Sequence, residues 1–217
     1  MLEKLAKQTA VYGISTIAVR FLSYLLTPVF TRVFEPEAYG IVTDVYALIP
    51  FALVVLTMGL ESAYFRFAAK ADAAAAAAGG TEGEIAARAR AGKRRLFATA
   101  WGVTLLAASL FFLLTAFGRE RVAEWMGEAY VAHPEYVLLV AAVVWFDVAA
   151  CLPFSRLREQ GRAMTFVGIK ALGVVVNVAL AIGFALAGLY GTPFGVGWVF
   201  VANLIASAVT FNVILLT

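Results

Sequence analysis

Arg20, Asp44, Glu61 and Asp147 are the residues whose chemistry is out of place in this chain, because each lies in or beside a long apolar run. A charge at the centre of a helix in hydrocarbon costs about 2.5–3.5 kcal/mol on insertion scales, so it must face protein or water. Steps of three and four residues from Arg20 reach Thr16, Ser23 with Tyr24, and Thr27, while Ala18, Phe21, Leu22 and Leu25 fall on the opposite face. Gly40, Thr43, Asp44, Ala47, Pro50, Thr57 and Glu61 repeat such a stripe in the next apolar segment. Two stripes running from one interface to the other suggest a hydrated cavity shared by both helices. The plainer reading is a set of interhelical hydrogen bonds, worth ~0.6–2 kcal/mol each. A cationic centre weighs towards the cavity.

Asp147 sits as far into its own apolar segment as Arg20 sits into the first one, which places both roughly 16 Å deep. Two arrangements are open: Arg20 and Asp147 share one polar network, as a candidate ion pair, or Asp147 meets Asn177, Asn203 or water. Asn177, Asn203, Ser207 and Thr210 read as bundle hydrogen bonds, and Ala179, Gly183 and Ala187 as a small-residue face suited to close helix packing. Catalysis finds no foothold. The sequence has no paired histidine, no glycine-rich phosphate loop after a strand, and no Ser or Cys beside a plausible base. No catalytic residue, metal ligand set or cofactor is expected. Cys151, the sole cysteine, supplies no disulfide framework.

The elements that must position these residues follow from composition. Hydrophobic residues make up 63% of the 217 and charged ones 14%, against roughly 45–50% and about 25% in soluble domains. Apolar runs of the length that spans ~30 Å of hydrocarbon fall at 9–29, 40–60, 96–117, 136–154, 165–189 and 197–216. The expected fold is an all-α integral membrane bundle of six transmembrane helices. The first run is too long for a cleavable signal peptide, carries Arg20 and has no small-residue cleavage site after it. Most of the loop Lys and Arg residues, from Lys4 and Lys7 through the run 88–95 to Arg156, Arg158, Arg162 and Lys170, fall on one side; Arg32, Arg119 and Arg121 fall on the other. The N-terminus is therefore expected in the cytoplasm, and the net charge of +3 is a topology signal, with no nucleic-acid partner implied.

The Ala- and Gly-rich stretch 70–95 reads as a cytoplasmic linker with transient helix in its alanine run. Within 119–135, Val122, Trp125, Met126, Ala129 and Tyr130 recur at helical spacing, as in a short amphipathic helix on the outer interface. His133 reads as a turn residue before Pro134. The arginines of "LPFSRLREQGRAM" enforce topology and meet headgroups, or contact a phosphorylated substrate. "EPEAYG" reads as a tight helical hairpin: Pro36 pre-sets φ, Glu37 complements the helix dipole, and Gly40 permits close approach of a neighbouring helix.

The stretch "LTPVFTRVFEPEAYGIVTDVYALIPFALVVLTMGLESAYFRF" resembles the start of the polysaccharide biosynthesis and oligosaccharide flippase family, in the superfamily that also holds multidrug and toxin extrusion transporters. The carrying features are an arginine before a Pro-Glu-x-Tyr-Gly turn and an apolar helix ending in "GLESAYFR". "HPEYVLLVAAVVWFDVAACLPFSRLREQGRAMTFVGIKALGVVVNVAL" is similar to the family's fourth and fifth helices. The resemblance implies flipping of a polyprenyl-diphosphate-linked oligosaccharide across the bacterial cytoplasmic membrane by alternating access. The cavity would bear Arg20, Thr16, Ser23, Tyr24, Thr27, Asp44 and Asp147, with Asp44, Glu61 and Asp147 as candidate coupling carboxylates for H+ or Na+. The family is built as two bundles of twelve or more helices in total, so the chain is expected to be one lobe. Its partners would be membrane lipid, the lipid-linked glycan, and either a C-terminal lobe of the same chain or a second copy. Two other classes stand beside this: a cation-coupled multidrug antiporter of the same superfamily, and a non-transporting membrane scaffold for glycan assembly.

Overall fold

The computed structural model describes residues 26–217, so nearly all of the expected first segment, 9–29, lies outside the described residues. A short helix, α1 (Thr27–Val33), carries Pro28 in its first turn and ends at the extended Phe34. α2 (Pro36–Thr57) opens on Pro36 with Glu37 in its first turn, as the hairpin reading requires. A Cβ placed at Gly40 would meet nothing within 4 Å among the described residues, and the neighbouring first segment lies outside them. Met58 and Gly59 then take left-handed backbone, at φ 49° and 68°. That pair ends α2, and α3 (Leu60–Ala77) continues beyond it. Gly59 occupies this region at no steric cost, whereas Met58 does so against a Cβ penalty.

α4 (Glu82–Phe117) starts with a reciprocal capping box between Thr81 and Glu84, which satisfies two orphan donors. The stretch expected as a linker is therefore helical on both sides of the turn at 78–81. Alanine is the strongest helix former, and the Lys93 ammonium fastens the hairpin by reaching Asp72 and Glu159, each at 2.7 Å. The expected amphipathic helix is two pieces, α5 (Arg119–Met126) and α6 (Glu128–Val131), because Gly127 between them sits at φ 121°. Trp125 is exposed, and Ala123 and Tyr130 face inward. His133 precedes α7 (Pro134–Glu159) and its ring bonds Glu135 at 2.9 Å. α8 (Ala163–Leu186), a 3-10 turn (Leu189–Gly191) and α9 (Gly197–Leu215) complete the chain. Among the described residues no strand occurs.

Among the described residues, five helical stretches are long and apolar enough to cross a membrane: 36–77, 82–117, 134–159, 163–186 and 197–215. α7 is the most buried of them and packs most extensively against α4 and α9, with α2 and α3 also on its flanks. Its all-round apolarity suits a central position. Large apolar side chains such as Phe51, Val54, Leu106, Phe117 and Leu186 point outward, where lipid replaces water as the solvent. The face of Ala179, Gly183 and Ala187 is also exposed. The close approach of α8 to α9 is instead at Gly173, where an added Cβ would collide with the Thr210 hydroxyl.

Candidate functional site: a polar cavity between the apolar helices

Three faces at helical spacing converge on one cavity of about 740 Å³. Tyr39, Thr43 and Tyr46 recur along α2; Lys170, Gly173 and Asn177 along α8; Asn203, Ser207 and Thr210 along α9. Each set repeats every three or four residues, which stacks its members on a single side of the helix. α1 adds Thr27 and Phe30, and α7 adds Asp147 from the middle of its length. Apolar Leu26, Val42, Ile49, Val174 and Val178 fill the intervals. Polar groups in an apolar frame are what a binding cavity needs to fix a ligand's orientation.

Asp147 and Lys170 are the charged members. They lie near enough for their charges to act on each other, and Ser207 lines the same cavity. The Lys170 ammonium also stands over the Phe154 ring at 4.2 Å, a cation–π contact that holds it without cancelling its charge. Asn177 Nδ2 donates to Asn203 Oδ1 at 3.4 Å, which leaves Asn177 Oδ1 buried with no partner among the described residues. An orphaned acceptor costs about 1–3 kcal/mol, a penalty that a water or a cargo hydroxyl would remove.

Of the residues expected to line a cavity, Thr27 and Asp147 do so. Thr16, Arg20, Ser23 and Tyr24 lie outside the described residues, and with them the Arg20–Asp147 pairing. Asp44 is exposed and outside this lining, near Tyr130. Asn177 and Asn203, read from sequence as bundle hydrogen bonds, do bond each other between α8 and α9, and together with Ser207 and Thr210 they also form cavity wall. Lys170 was counted among the loop cations, although it falls inside the expected segment 165–189. A lysine within an apolar span was the signal for its place.

Glu61 belongs to a second polar cluster near the ends of α7 and α3. Its carboxylate pairs with Arg158 and accepts a hydrogen bond from Ser155 Oγ at 3.0 Å. Arg158 also donates to Ser155 Oγ at 3.2 Å, and Arg156 lies over the Phe97 ring at 4.9 Å. Both arginines in the last turn of α7 are thus engaged within the protein. At the other end, the Tyr130 hydroxyl donates to the Ile41 carbonyl at 3.4 Å. Burial, assisted by the nearby Asp44 carboxylate, pushes that phenol up to about 12. Among the described residues, no group of three or more His, Cys, Asp or Glu side chains could hold a metal ion.

Comparison with curated proteins and with solved structures yields no match. A family model does match, over residues 5–216, and nearly the whole chain lies within it. The membrane-length helices with their internal polar cavity agree with the resemblance carried by the Pro36 turn and by "GLESAYFR". The chain belongs to the polysaccharide biosynthesis protein family.

Proposed function

We propose that the chain translocates a lipid-linked oligosaccharide precursor across the bacterial cytoplasmic membrane by alternating access. The observation that carries this reading is the 740 Å³ cavity with Lys170, Asp147 and a row of amide and hydroxyl groups inside otherwise apolar helices. A glycan cannot cross ~30 Å of hydrocarbon without polar partners. The asparagines and hydroxyls offer hydrogen bonds to sugar hydroxyls, and the Lys170 ammonium offers a counter-charge to a diphosphate. The lipid tail stays outside, between helices. The reading is of a transporter and not of an enzyme.

The architecture goes with it. Six transmembrane helices form one lobe, with the N-terminus cytoplasmic. The lobe works against a second, supplied by a C-terminal half or another copy, and the two rock about the cargo. Asp147 is the carboxylate of the described lining and the leading candidate for coupling to H+ or Na+. A multidrug antiporter would carry cationic cargo, which Lys170 repels, and a scaffold would need no polar cavity.

Cells lacking the gene provide the test. Polyprenyl-linked glycans are expected to accumulate on the cytoplasmic leaflet, with the intact gene restoring export. Normal leaflet distribution in a strain without another flippase would remove the proposal.

A further inference from the structure

Outside the cavity, the strongest unassigned feature is a basic groove on the outer surface of α4. Arg90, Ala91, Arg94, Arg95 and Ala98 line a depression of about 460 Å³, and all five are exposed. Their spacing places them along one side of the helix, with alanines leaving room between the guanidinium groups. Among the described residues no carboxylate pairs with these arginines; Asp72 and Glu159 are held by Lys93, and Glu61 by Arg158.

The position of the groove along α4 identifies its occupant. The charged part of the helix gives way at Leu96 to the apolar run ending at Phe117, which is long enough for ~30 Å of hydrocarbon. Arg94 and Arg95 therefore sit where hydrocarbon meets headgroups. Beyond them the same helix exposes Leu106 and Leu110, and among the described residues nothing lies within 4 Å of where a Cβ on Gly102, between them and the arginines, would stand. Guanidinium groups at phosphate level over an exposed apolar strip match a phosphate-bearing lipid with its acyl chains. They do not match a soluble anion.

We propose that this groove is a binding site for an anionic glycerophospholipid, with its phosphate on Arg90, Arg94 and Arg95 and an acyl chain along the α4 strip. Guanidinium matches phosphate geometry, and basic residues at this level attract anionic lipid. The site is independent of the cavity and of the translocation reading.

Native mass spectrometry of the full-length protein in mild detergent tests it, titrating phosphatidylglycerol against phosphatidylcholine. Wild-type protein is expected to prefer phosphatidylglycerol. Each of R90Q and R94Q should weaken that binding by about fivefold, and the triple variant with R95Q should abolish the preference. R119Q/R121Q, at the other end of the helices, should leave it unchanged, which also guards against a non-specific charge effect. Inorganic phosphate at equal concentration should not displace the lipid. Unaltered phosphatidylglycerol preference in a folded triple variant would overturn the proposal. Displacement by inorganic phosphate would also overturn it, by reducing the groove to a general anion site.

Discussion

Lys170 and Asp147 concentrate the chemistry of the cavity, and the two are not equivalent. Asp147→Asn keeps the shape and removes the counter-charge of Lys170. Export is expected to fall by about tenfold or more, the equivalent of ~1.4 kcal/mol, and the coupling-ion dependence of the remainder should vanish. Export rates measured at several ion gradients check both outcomes. A different prediction attaches to Tyr130. Its phenol titrates near 10.0 when unfolded and at about 12 in the fold. The raised value means that burial stabilises the neutral form; this contribution is complete below pH 10 and is lost as pH rises through about 12. Thermal melting across that range should show the loss, and Tyr130→Phe should remove it. At this scale the sequence was partly legible. Thr27 could be placed from periodicity and Asp147 from its depth in an apolar run, because a polar group there has few places to go. Lys170 escaped because its nearness to the α7–α8 connection made a loop charge the simpler assignment.

Elements were legible where a local rule dominates. Pro36 with Glu37 marks the start of α2, and the apolar runs 96–117 and 136–154 fall inside α4 and α7, although α4 begins well before its run, at Glu82. The helical hairpin around 78–81 was not, since its order depends on a capping box and on Lys93 joining residues distant in sequence. Helix contacts were equally opaque: a small-residue face predicts that close packing is available, and only a partner decides where it is used. The close contact is Gly173 against Thr210. Gly173→Ala is expected to destabilise the α8–α9 pair by about 1–3 kcal/mol through overpacking. The second substitution Thr210→Ala should recover most of it, and detergent-solubilised melting of the two variants reads the difference. Glu61→Gln is expected to loosen α3 from α7 by removing the charge of one of the partners of Arg158. With side chains 39% and 34% exposed, that pair is expected to contribute only about 1 kcal/mol. A fall in melting temperature within a few degrees would agree.

The described residues combine an exposed apolar exterior, a polar cavity lined by α1, α2, α7, α8 and α9, and a helical hairpin of α3 and α4 whose tip is charged and alanine-rich. On the proposed translocation reading, lipid contact and cargo contact would fall on separate surfaces, as a lipid-linked cargo requires. The central claim is that the cavity carries cargo through a positive charge at Lys170. The most direct measurement is the leaflet distribution of polyprenyl-linked glycan in cells whose only copy of the gene encodes Lys170→Gln or Lys170→Arg. The account predicts cytoplasmic-leaflet accumulation with the glutamine variant and restored export with the arginine variant, both proteins being present in the membrane at wild-type levels. Full export by Lys170→Gln would contradict it.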